Sequence, residues 1–428
     1  MSWYLLIPFA FLILAFLIKM PIGWGMLAGS VVYFLAKGIG LEVVMSTAGY
    51  GIYSSYILIA IPLFIFTANI MNSSEVSDKI FNFSKALVGR FRGGMGYVNI
   101  LGSLIFAGMT GSALADASGL GKIEIEHMKK EGYDAPFAAA LTSTTAVIGP
   151  TFPPSIPMVV FAMISGASVG KLFLGGVTPA IIQCVAIGVY VYIVAKKRNY
   201  PRSEKVALRA FLIDTAKAIP ALLTPVLLLV GIYTGIMTPT EAGAVAAAYT
   251  LIIALLVYRT LSWAKLKEIL IATIKSTGSI FLIIAAAYSF SYIISLEQVA
   301  QWMVGLISGF NGSKLAFMLL VNVIFLLLGC FVDVNVTQLV FVPIFVPVAK
   351  MLGIDMVYFG VVLCLNMMIG LTTPPFGMLL FISANAGETS LKDVIKEALP
   401  MVGFMLIGLL LMTVFPDIIM WLPNMMKS

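Results

Sequence analysis

Two related stretches decide the fold of this chain: "IGPTFPPSIP" at residues 148–157 and "IGLTTPPFGM" at residues 369–378. Each lies inside a block without charged residues, 135–170 or 356–387. Both blocks are longer than the roughly 20 residues that one membrane-spanning helix needs. Because proline lacks the backbone N–H and its ring clashes with the preceding helical turn, two successive prolines interrupt a helix. We therefore predict two membrane helices that are broken near the middle of the bilayer.

The composition excludes a soluble globular protein. Of the 428 residues, 61% are apolar and 11% are charged, against roughly 45–50% and 25% in soluble domains. The 26 Lys and Arg outnumber the 19 Asp and Glu, but they lie in short loops without forming a contiguous stripe, so we expect no nucleic-acid binding. Cys184, Cys330 and Cys364 lie in apolar stretches and are interpreted as small buried residues. The first apolar block, 4–18, lacks a basic leader and a cleavage site, so we expect it to remain in the mature protein.

The charge-free blocks predict an all-α polytopic membrane protein with ten crossings and two re-entrant helical hairpins. Hairpin 1 is the stretch 93–121, in which Asp116 is the only charged residue, and hairpin 2 is the stretch 315–349, which is split by Asp333. The amphipathic stretches 77–91 and 261–277 are predicted to lie in the membrane interface. With both termini periplasmic, 21 basic residues fall inside and five fall outside, as the positive-inside rule requires; the five are Lys37, Lys171, Lys314, Lys350 and Lys427.

An internal repeat links the two halves. Shifting the sequence by 221 residues aligns 108–179 with 329–400 without a gap, and 13 of 72 positions are identical, including the TxPP motif. Because each half has five crossings, an odd number, the second copy is inverted in the membrane. Paired broken helices in inverted repeats indicate a secondary transporter with a midplane site. The predicted domains are scaffold and arm helices of repeat 1 (1–92), transport-domain half 1 (93–196), a cytoplasmic connection (197–215), scaffold and arm helices of repeat 2 (216–313) and transport-domain half 2 (314–428).

The hairpin tips and the TxPP breaks carry the candidate site. Backbone can leave helical geometry at membrane depth only where protein or a cavity satisfies it, and freed carbonyls beside hydroxyls suit a hard cation such as Na⁺, while helix N-termini offer N–H groups to an anion. The alternative is that small residues merely pack helices closely. The candidate Na⁺ or substrate residues are Thr110, Ser112, Asp116, Thr151, Gly329, Asp333, Asn335, Thr337, Gly370, Thr372 and Thr373.

Asp116 and Asp333 are the only acids inside the hairpins, and a carboxylate at the bilayer centre costs at least ~2.5–3.5 kcal/mol. We expect both to be functional; the alternative is that one or both serve as helix caps. Two membrane acids also allow an intramembrane aspartyl protease, although the GxGD context is absent, and a passive channel is the third possibility, although no filter is visible. Glu241 in "TPTEAG" is interpreted as a cap or an interfacial residue, and His127 is placed in a polar cytoplasmic connection, so neither is assigned a ligand role.

Four segments resemble a known family. "FAGMTGSALADASGLGKIEIEHMKKEGYD" (106–134), "IGPTFPPSIPMVVFAMISGASVGKLFLGG" (148–176), "IMTPTEAGAVAA" (236–247) and "IGLTTPPFGMLLF" (369–381) are similar to the large membrane (M) subunit of the tripartite ATP-independent periplasmic (TRAP) transporters. The resemblance covers essentially the whole chain. The sialic-acid carriers are the most similar type, and C4-dicarboxylate carriers share the same motifs.

The resemblance implies a carrier and no enzyme. Its expected activity is Na⁺-coupled, elevator-type import of organic acids across the bacterial inner membrane, with Na⁺ as coupling ion. The implied partners are a periplasmic substrate-binding protein (P) and a small four-helix membrane subunit (Q), here a separate polypeptide. The family's ion sites at hairpin tips and broken helices carry over to the tip and TxPP motifs quoted above. No Lys or Arg occurs in those motifs, so we expect helix N-termini, hydroxyls and bound Na⁺ to hold the substrate's negative charge.

Overall fold

The computed structural model describes residues 3–53, 55–73, 76–203, 207–299, 301–302, 305 and 313–426. All regular structure in these ranges is helical, without a strand, which confirms the all-α prediction. Lys205 and Lys427, which enter the count of inside and outside charges, lie outside the described residues, as does the C-terminus.

The α-helices, in chain order, are α1 Leu6–Leu17, α2 Ile22–Ala36, α3 Glu42–Tyr53, α4 Ala60–Ser73, α5 Val76–Val88, α6 Gly94–Thr110, α7 Ala113–Ser118, α8 Leu120–Lys130, α9 Ala135–Thr145, α10 Ile156–Ser165, α11 Val169–Lys197, α12 Leu208–Tyr233, α13 Pro239–Ile252, α14 Trp263–Leu296, α15 Lys314–Phe331, α16 Val334–Met351, α17 Met356–Gly370, α18 Met378–Gly387, α19 Leu391–Val414 and α20 Asp417–Met425. Short 3₁₀ turns occur at Trp3–Leu5, Tyr56–Ile59 and Ala146–Ile148, and a π segment follows α13 at Ile253–Val257. Within the described part of the chain, eight helical segments are long and apolar enough to cross a membrane, and seven further apolar helices are shorter, with 10–17 residues.

Each stretch predicted as a hairpin contains helical arms joined by a short turn. In hairpin 1, α6 ends at Thr110, the chain turns at Gly111 and Ser112, and the returning arm is divided at Gly119 into α7 and α8. In hairpin 2, α15 turns at Val332 and Asp333 into an uninterrupted α16. The first hairpin therefore has a jointed second arm, and the second has a straight one.

Both TxPP motifs interrupt a helix. The first break lies between the 3₁₀ turn after α9 and the start of α10, and the second lies between α17 and α18. The halves before the breaks begin 221 residues apart, at Ala135 and Met356, the same shift that aligns the sequences. Each break contains a cis Pro–Pro bond, Pro153–Pro154 or Pro374–Pro375.

One predicted boundary is wrong. The amphipathic stretch 261–277 is not a separate interfacial helix, because α14 runs without interruption from Trp263 to Leu296. At 1.5 Å per residue its 34 residues extend about 51 Å, well beyond the ~30 Å hydrocarbon core. Lys265, Lys267 and Lys275 are exposed, and an added Cβ at Gly278 would meet no atom within 4 Å. The charged end is therefore a continuation of the helix beyond the apolar layer.

Each hairpin packs around the broken helix of its own half. α6 and α8 contact α9, and α15 and α16 contact α17. A buried amide fixes each pair: Asn99 Nδ2 on α6 donates to Thr142 Oγ1 at 2.7 Å, and Asn366 Nδ2 on α17 donates to Asn322 Oδ1 on α15 at 2.7 Å. Because buried polar groups require partners, these bonds select one register between hairpin and broken helix.

The halves also pack against each other reciprocally. α7 of hairpin 1 contacts α18, the second part of the second broken helix, while α16 of hairpin 2 contacts α10, the second part of the first. One large apolar core runs through both halves and includes Phe161 and Phe359, whose ring centroids are 6.0 Å apart. The two tips and two breaks therefore belong to a single packed unit.

An ion-pair cluster lies at the end of α11. Arg198 donates two hydrogen bonds to Glu397 at 2.7 and 2.9 Å and one to Asp134 at 3.1 Å, which joins α11 to the starts of α9 and α19. The Tyr200 hydroxyl donates to the same Asp134 carboxylate at 2.7 Å. Burial and this hydrogen bond raise the pKa of Tyr200, so the phenol remains a donor at neutral pH.

Candidate ion and substrate site

The tip of hairpin 1 lies against the first break. Gly111 has a φ of +58°, and a Cβ there would lie 2.4 Å from the Pro154 carbonyl oxygen. A Cβ on Gly149 would lie 3.8 Å from the Ser112 carbonyl carbon. Only glycine at position 111 combines the left-handed conformation with so close an approach. The structure thus brings the backbone of Gly111 and Ser112 to that of the break.

The predicted hydroxyl groups at this tip are buried or half-buried, and each already donates a hydrogen bond to a backbone carbonyl or caps a helix. Thr110 donates to the Phe106 carbonyl at 3.3 Å and Thr151 donates to the Val147 carbonyl at 3.1 Å. Ser112 caps α7 by accepting from the Ala115 N–H at 3.3 Å. A hydroxyl that donates its proton to a carbonyl keeps its lone pairs, so these oxygens remain suitable ligands for a cation.

The tip of hairpin 2 lies equally close to the second break. A Cβ on Gly370 would lie 2.8 Å from the Cα and carbonyl carbon of Gly329, and one on Gly329 would lie 2.9 Å from the Met367 carbonyl oxygen. The Gly377 N–H donates to the Cys330 carbonyl at 3.2 Å. Gly329 and Gly370, both in the predicted set, therefore permit direct backbone contact between tip and break.

Asp333 is a cap, which is one of the alternatives left open by the sequence. Its carboxylate accepts from the Asn335 N–H at 2.9 Å at the start of α16. Asn335 Oδ1 and the fully buried Thr337 Oγ1 have no hydrogen-bond partner among the described residues. Thr372 and Thr373 both donate to the Ile369 carbonyl, at 2.9 and 2.8 Å. The second tip thus combines one carboxylate with several oxygens that are not saturated.

Asp116 is buried on α7, and the sequence analysis missed a second buried acid, Glu124 on α8. Both carboxylates are buried, at 1% and 0% exposure, and none of their oxygens has a partner in the described ranges. The predicted hairpin 1 ends at residue 121, where charged residues follow, so Glu124 lies outside it. Leu120, Glu124 and Met128 are spaced four apart on α8, and all three are buried. Leu120 and Met128, four residues before and after Glu124 on the same helix face, are apolar, and this pattern indicates that position 124 faces inward.

The chain matches the model of one protein family over almost its whole length. The family model described as "Tripartite ATP-independent periplasmic transporter, DctM component" matches residues 9–418. This chain belongs to that family. It is therefore a multi-pass protein of the inner membrane and a transport component, and the aspartyl protease alternative is wrong.

The names of relatives of this TRAP large subunit state two substrate classes, sialic acid and C4-dicarboxylates. The chain is 38% identical to the sialic acid TRAP transporter large permease protein SiaM of Vibrio cholerae over 95% of both chains. It is 38% identical to the sialic acid TRAP transporter permease protein SiaT of Haemophilus influenzae, covering 96% of this chain and 66% of that protein. The C4-dicarboxylate TRAP transporter large permease protein DctM of Pseudomonas aeruginosa is 37% identical over 86% of both chains.

A solved transporter shares the fold. The YdaH transporter of Alcanivorax borkumensis superimposes with a TM-score of 0.65 over 90% of both chains, at 13% sequence identity. At that identity the likeness shows the fold alone. The helical arrangement of the TRAP large subunit thus resembles that of a solved membrane transporter.

A cavity of about 880 Å³ adjoins the second tip of this TRAP large subunit. Its walls come from the loop between α1 and α2, from α14, and from hairpin 2 with the second break; they include Lys19, Ser279, Gly329 and Phe376. The volume falls within the usual range for small-molecule sites, roughly 300–1,000 Å³. Lys19 was not among the predicted site residues because it lies outside every quoted motif, yet it brings a positive charge to this cavity.

Glu241 confirms the capping prediction. The Thr238 N–H donates to the Glu241 carboxylate at 2.7 Å, and the Glu241 N–H donates to the Thr238 hydroxyl at 3.3 Å. This reciprocal pair is a capping box at the start of α13. In this TRAP large subunit the capping box explains the acid without a ligand role.

Proposed function

We propose that this chain is the large subunit of a Na⁺-coupled TRAP importer of organic acids. The observation that carries the proposal is the direct backbone contact of each hairpin tip with the broken helix of its own half, with unpartnered side-chain oxygens beside the second tip. Interrupted helices at membrane depth are the usual location of ion and substrate sites in secondary transporters.

Na⁺ is the proposed coupling ion. The second tip offers the Asp333 carboxylate, Asn335 Oδ1 and Thr337 Oγ1, and all are oxygen ligands of the kind that hard cations take. The other predicted hydroxyl ligands, Thr110, Ser112, Thr151, Thr372 and Thr373, also present oxygens, as do the Asp116 carboxylate and the carbonyls of Gly329 and Gly370. Neither the tips nor the breaks contain a His or Lys that would suggest a proton relay.

We propose an elevator-type mechanism built on an inverted repeat. Its support is the reciprocal packing, in which α7 contacts α18 while α16 contacts α10. The tips and breaks thereby form one unit, while α14 contacts α2, α3 and α4 on one side and α16 on the other. Such a unit is suited to move as a body against the helices that α14 joins, with both termini on the periplasmic side.

Sialic acid is the first substrate to test, and a C4-dicarboxylate is the second. The names of the Vibrio cholerae and Pseudomonas aeruginosa relatives support these two classes. Both are organic acids, for which Lys19 and the start of α18 provide positive charge at the cavity. The proposed partners are a periplasmic binding protein, which delivers the substrate, and the small membrane subunit.

Reconstitution tests the proposal. The chain is incorporated into liposomes with the small subunit, and uptake of radioactive sialic acid or succinate from the binding protein is measured under an inward Na⁺ gradient. We expect uptake only with the Na⁺ gradient and with both partners. Equal uptake when choline replaces Na⁺ and a pH gradient is applied would refute Na⁺ coupling. Ohmic ion flux without saturable uptake would indicate a passive channel instead.

A further inference from the structure

A second group of polar residues lies between the arms of hairpin 1. Asp116 on α7, Glu124 on α8 and Ser103 on α6 are all buried, with exposures of 1%, 0% and 1%. Glu124 Oε1 reaches the surface of α6 at Gly102, the residue next to Ser103, and Asp116 lies on α7, the short helix between α6 and α8, where its charge acts on Glu124. This group, here called the arm cluster, is formed by the facing arms of the hairpin and not by its tip.

The arm cluster contains many acceptors and few donors. All four carboxylate oxygens and Ser103 Oγ lack a hydrogen-bond partner among the described residues. Asn72 Oδ1, also unpartnered, lies 2.7 Å from the position of an added Cβ on Gly119, the joint between α7 and α8. Buried acceptors without donors are costly, so an additional positively charged species is needed to satisfy them.

No basic side chain supplies that charge within the described part of the chain. Its ion pairs use other acids, such as Glu131 with Lys85 and Glu388 with Lys129. Two buried carboxylates without a partner carry a large desolvation penalty. Packing alone would favour apolar residues here, so a ligand must explain why both acids face inward.

The facing helix leaves room for one of the acids. An added Cβ on Gly102 would lie 2.4 Å from Glu124 Oε1 and 3.3 Å from Leu120. The glycine therefore lets the Glu124 carboxylate reach the surface of α6 beside Ser103. Any larger residue at position 102 would push the carboxylate out of the cluster.

We propose that the arm cluster binds a hard cation through Asp116, Glu124 and Ser103. One cation is coordinated by several oxygens at once, whereas a proton provides a single donor. Five unpartnered oxygens therefore fit a cation better than a shared proton. Na⁺ and Ca²⁺ both prefer such ligands, and the experiment separates them. The proposal does not depend on Na⁺ coupling, because its test measures cation binding and thermal stability and not uptake.

Cation binding to the purified complex of this chain with its small subunit tests the site. Binding of radioactive Na⁺ and of radioactive Ca²⁺ is measured at constant ionic strength, together with the midpoint of thermal unfolding. Glu124→Gln keeps the side-chain volume and removes the charge, and we expect it to weaken binding of one bound cation by roughly tenfold or more. Glu126→Gln is the matched control, because Glu126 lies on the same helix and is exposed; it should bind as wild type does.

Ser103→Ala is the second variant, in case Glu124→Gln does not fold. We expect it to weaken binding of the same cation, while uptake remains high enough for its Na⁺ dependence to be measured. Wild-type binding of both cations in both variants would overturn the proposal. A Glu124→Gln variant in which only the pH dependence of stability changes would show that the cluster holds a proton. If uptake by the wild type did not require Na⁺ but Glu124→Gln still weakened cation binding, the proposed Na⁺ coupling would be refuted and the cation site in the arm cluster would be supported.

Discussion

Gly370→Ala is expected to separate the tip of hairpin 2 from the second break. The new Cβ would lie 2.8 Å from two backbone atoms of Gly329 and 3.1 Å from the Leu326 carbonyl oxygen. Ordinary contact begins at 3.4 Å, so the two segments must move apart by about 0.6 Å, because backbone atoms cannot rotate away as a side chain can. Overpacking of this kind costs about 1–3 kcal/mol.

The functional effect should exceed the effect on stability. Binding sites need their ligands held within about 0.5 Å of the productive geometry, and the required shift is larger than that. The same movement stretches the hydrogen bond from the Gly377 N–H to the Cys330 carbonyl, now 3.2 Å. We therefore expect the half-saturating Na⁺ concentration for uptake to rise by about tenfold or more, while the protein still folds.

Uptake into proteoliposomes, titrated with Na⁺, measures this effect, and thermal unfolding measures the stability. Gly403→Ala is the control, since a Cβ there meets no atom within 4 Å in the interior of α19; it should transport normally. If Gly370→Ala showed the wild-type rate and the wild-type Na⁺ dependence, the contact between tip and break would not form the ion site.

Four further predictions follow from the geometry. Asp116→Ala and Asp333→Ala should each abolish Na⁺-driven uptake while expression persists; Asp333→Asn keeps the cap, worth about 1 kcal/mol, so its normal uptake would reduce Asp333 to a capping role. Lys19→Gln should weaken sialic-acid binding to the membrane complex about tenfold, or ~1.4 kcal/mol, with the exposed Lys265→Gln unchanged in the same calorimetric titration. Arg198→Lys should lower stability by about 1 kcal/mol or less, because the ion pairs are partly exposed, and an unchanged unfolding midpoint would contradict a structural role. Substrate affinity should rise as Na⁺ is added, as linkage requires, and a constant affinity in calorimetry would refute a shared site.

Features set by local backbone chemistry could be predicted from the sequence. The breaks follow from consecutive prolines at 153–154 and 374–375, and the capping box follows from the spacing of Thr238 and Glu241. These residues act on their own turn of helix, so their effect does not depend on distant parts of the chain. The same holds for Gly111, whose left-handed conformation ends α6.

Features set by packing between segments could not be predicted. The sequence analysis did not single out Glu124, which follows the end of the predicted hairpin 1, because a charged residue normally faces water, yet Gly102 on the opposite arm allows it to be buried. Lys19 lines the cavity because the turn between α1 and α2 lies beside hairpin 2, and no sequence motif indicates this contact. The continuity of α14 was missed because charged residues suggested an interfacial segment, whereas a helix longer than the bilayer extends into water.

The positions of the caps suggest where opposite charges belong in this site. The start of α16 is already occupied by the Asp333 carboxylate, so tip 2 carries a negative group and suits a cation. The start of α10 is capped by the neutral Ser155 hydroxyl, and α18 begins without a side-chain cap. Because an N-terminus is equivalent to roughly +0.5 charge, these two ends stay positive, and α18 begins at Met378 on the wall of the cavity that also contains Lys19. An anion beside α18 and a Na⁺ at tip 2 would therefore attract each other across the break, so that each should increase the other's affinity.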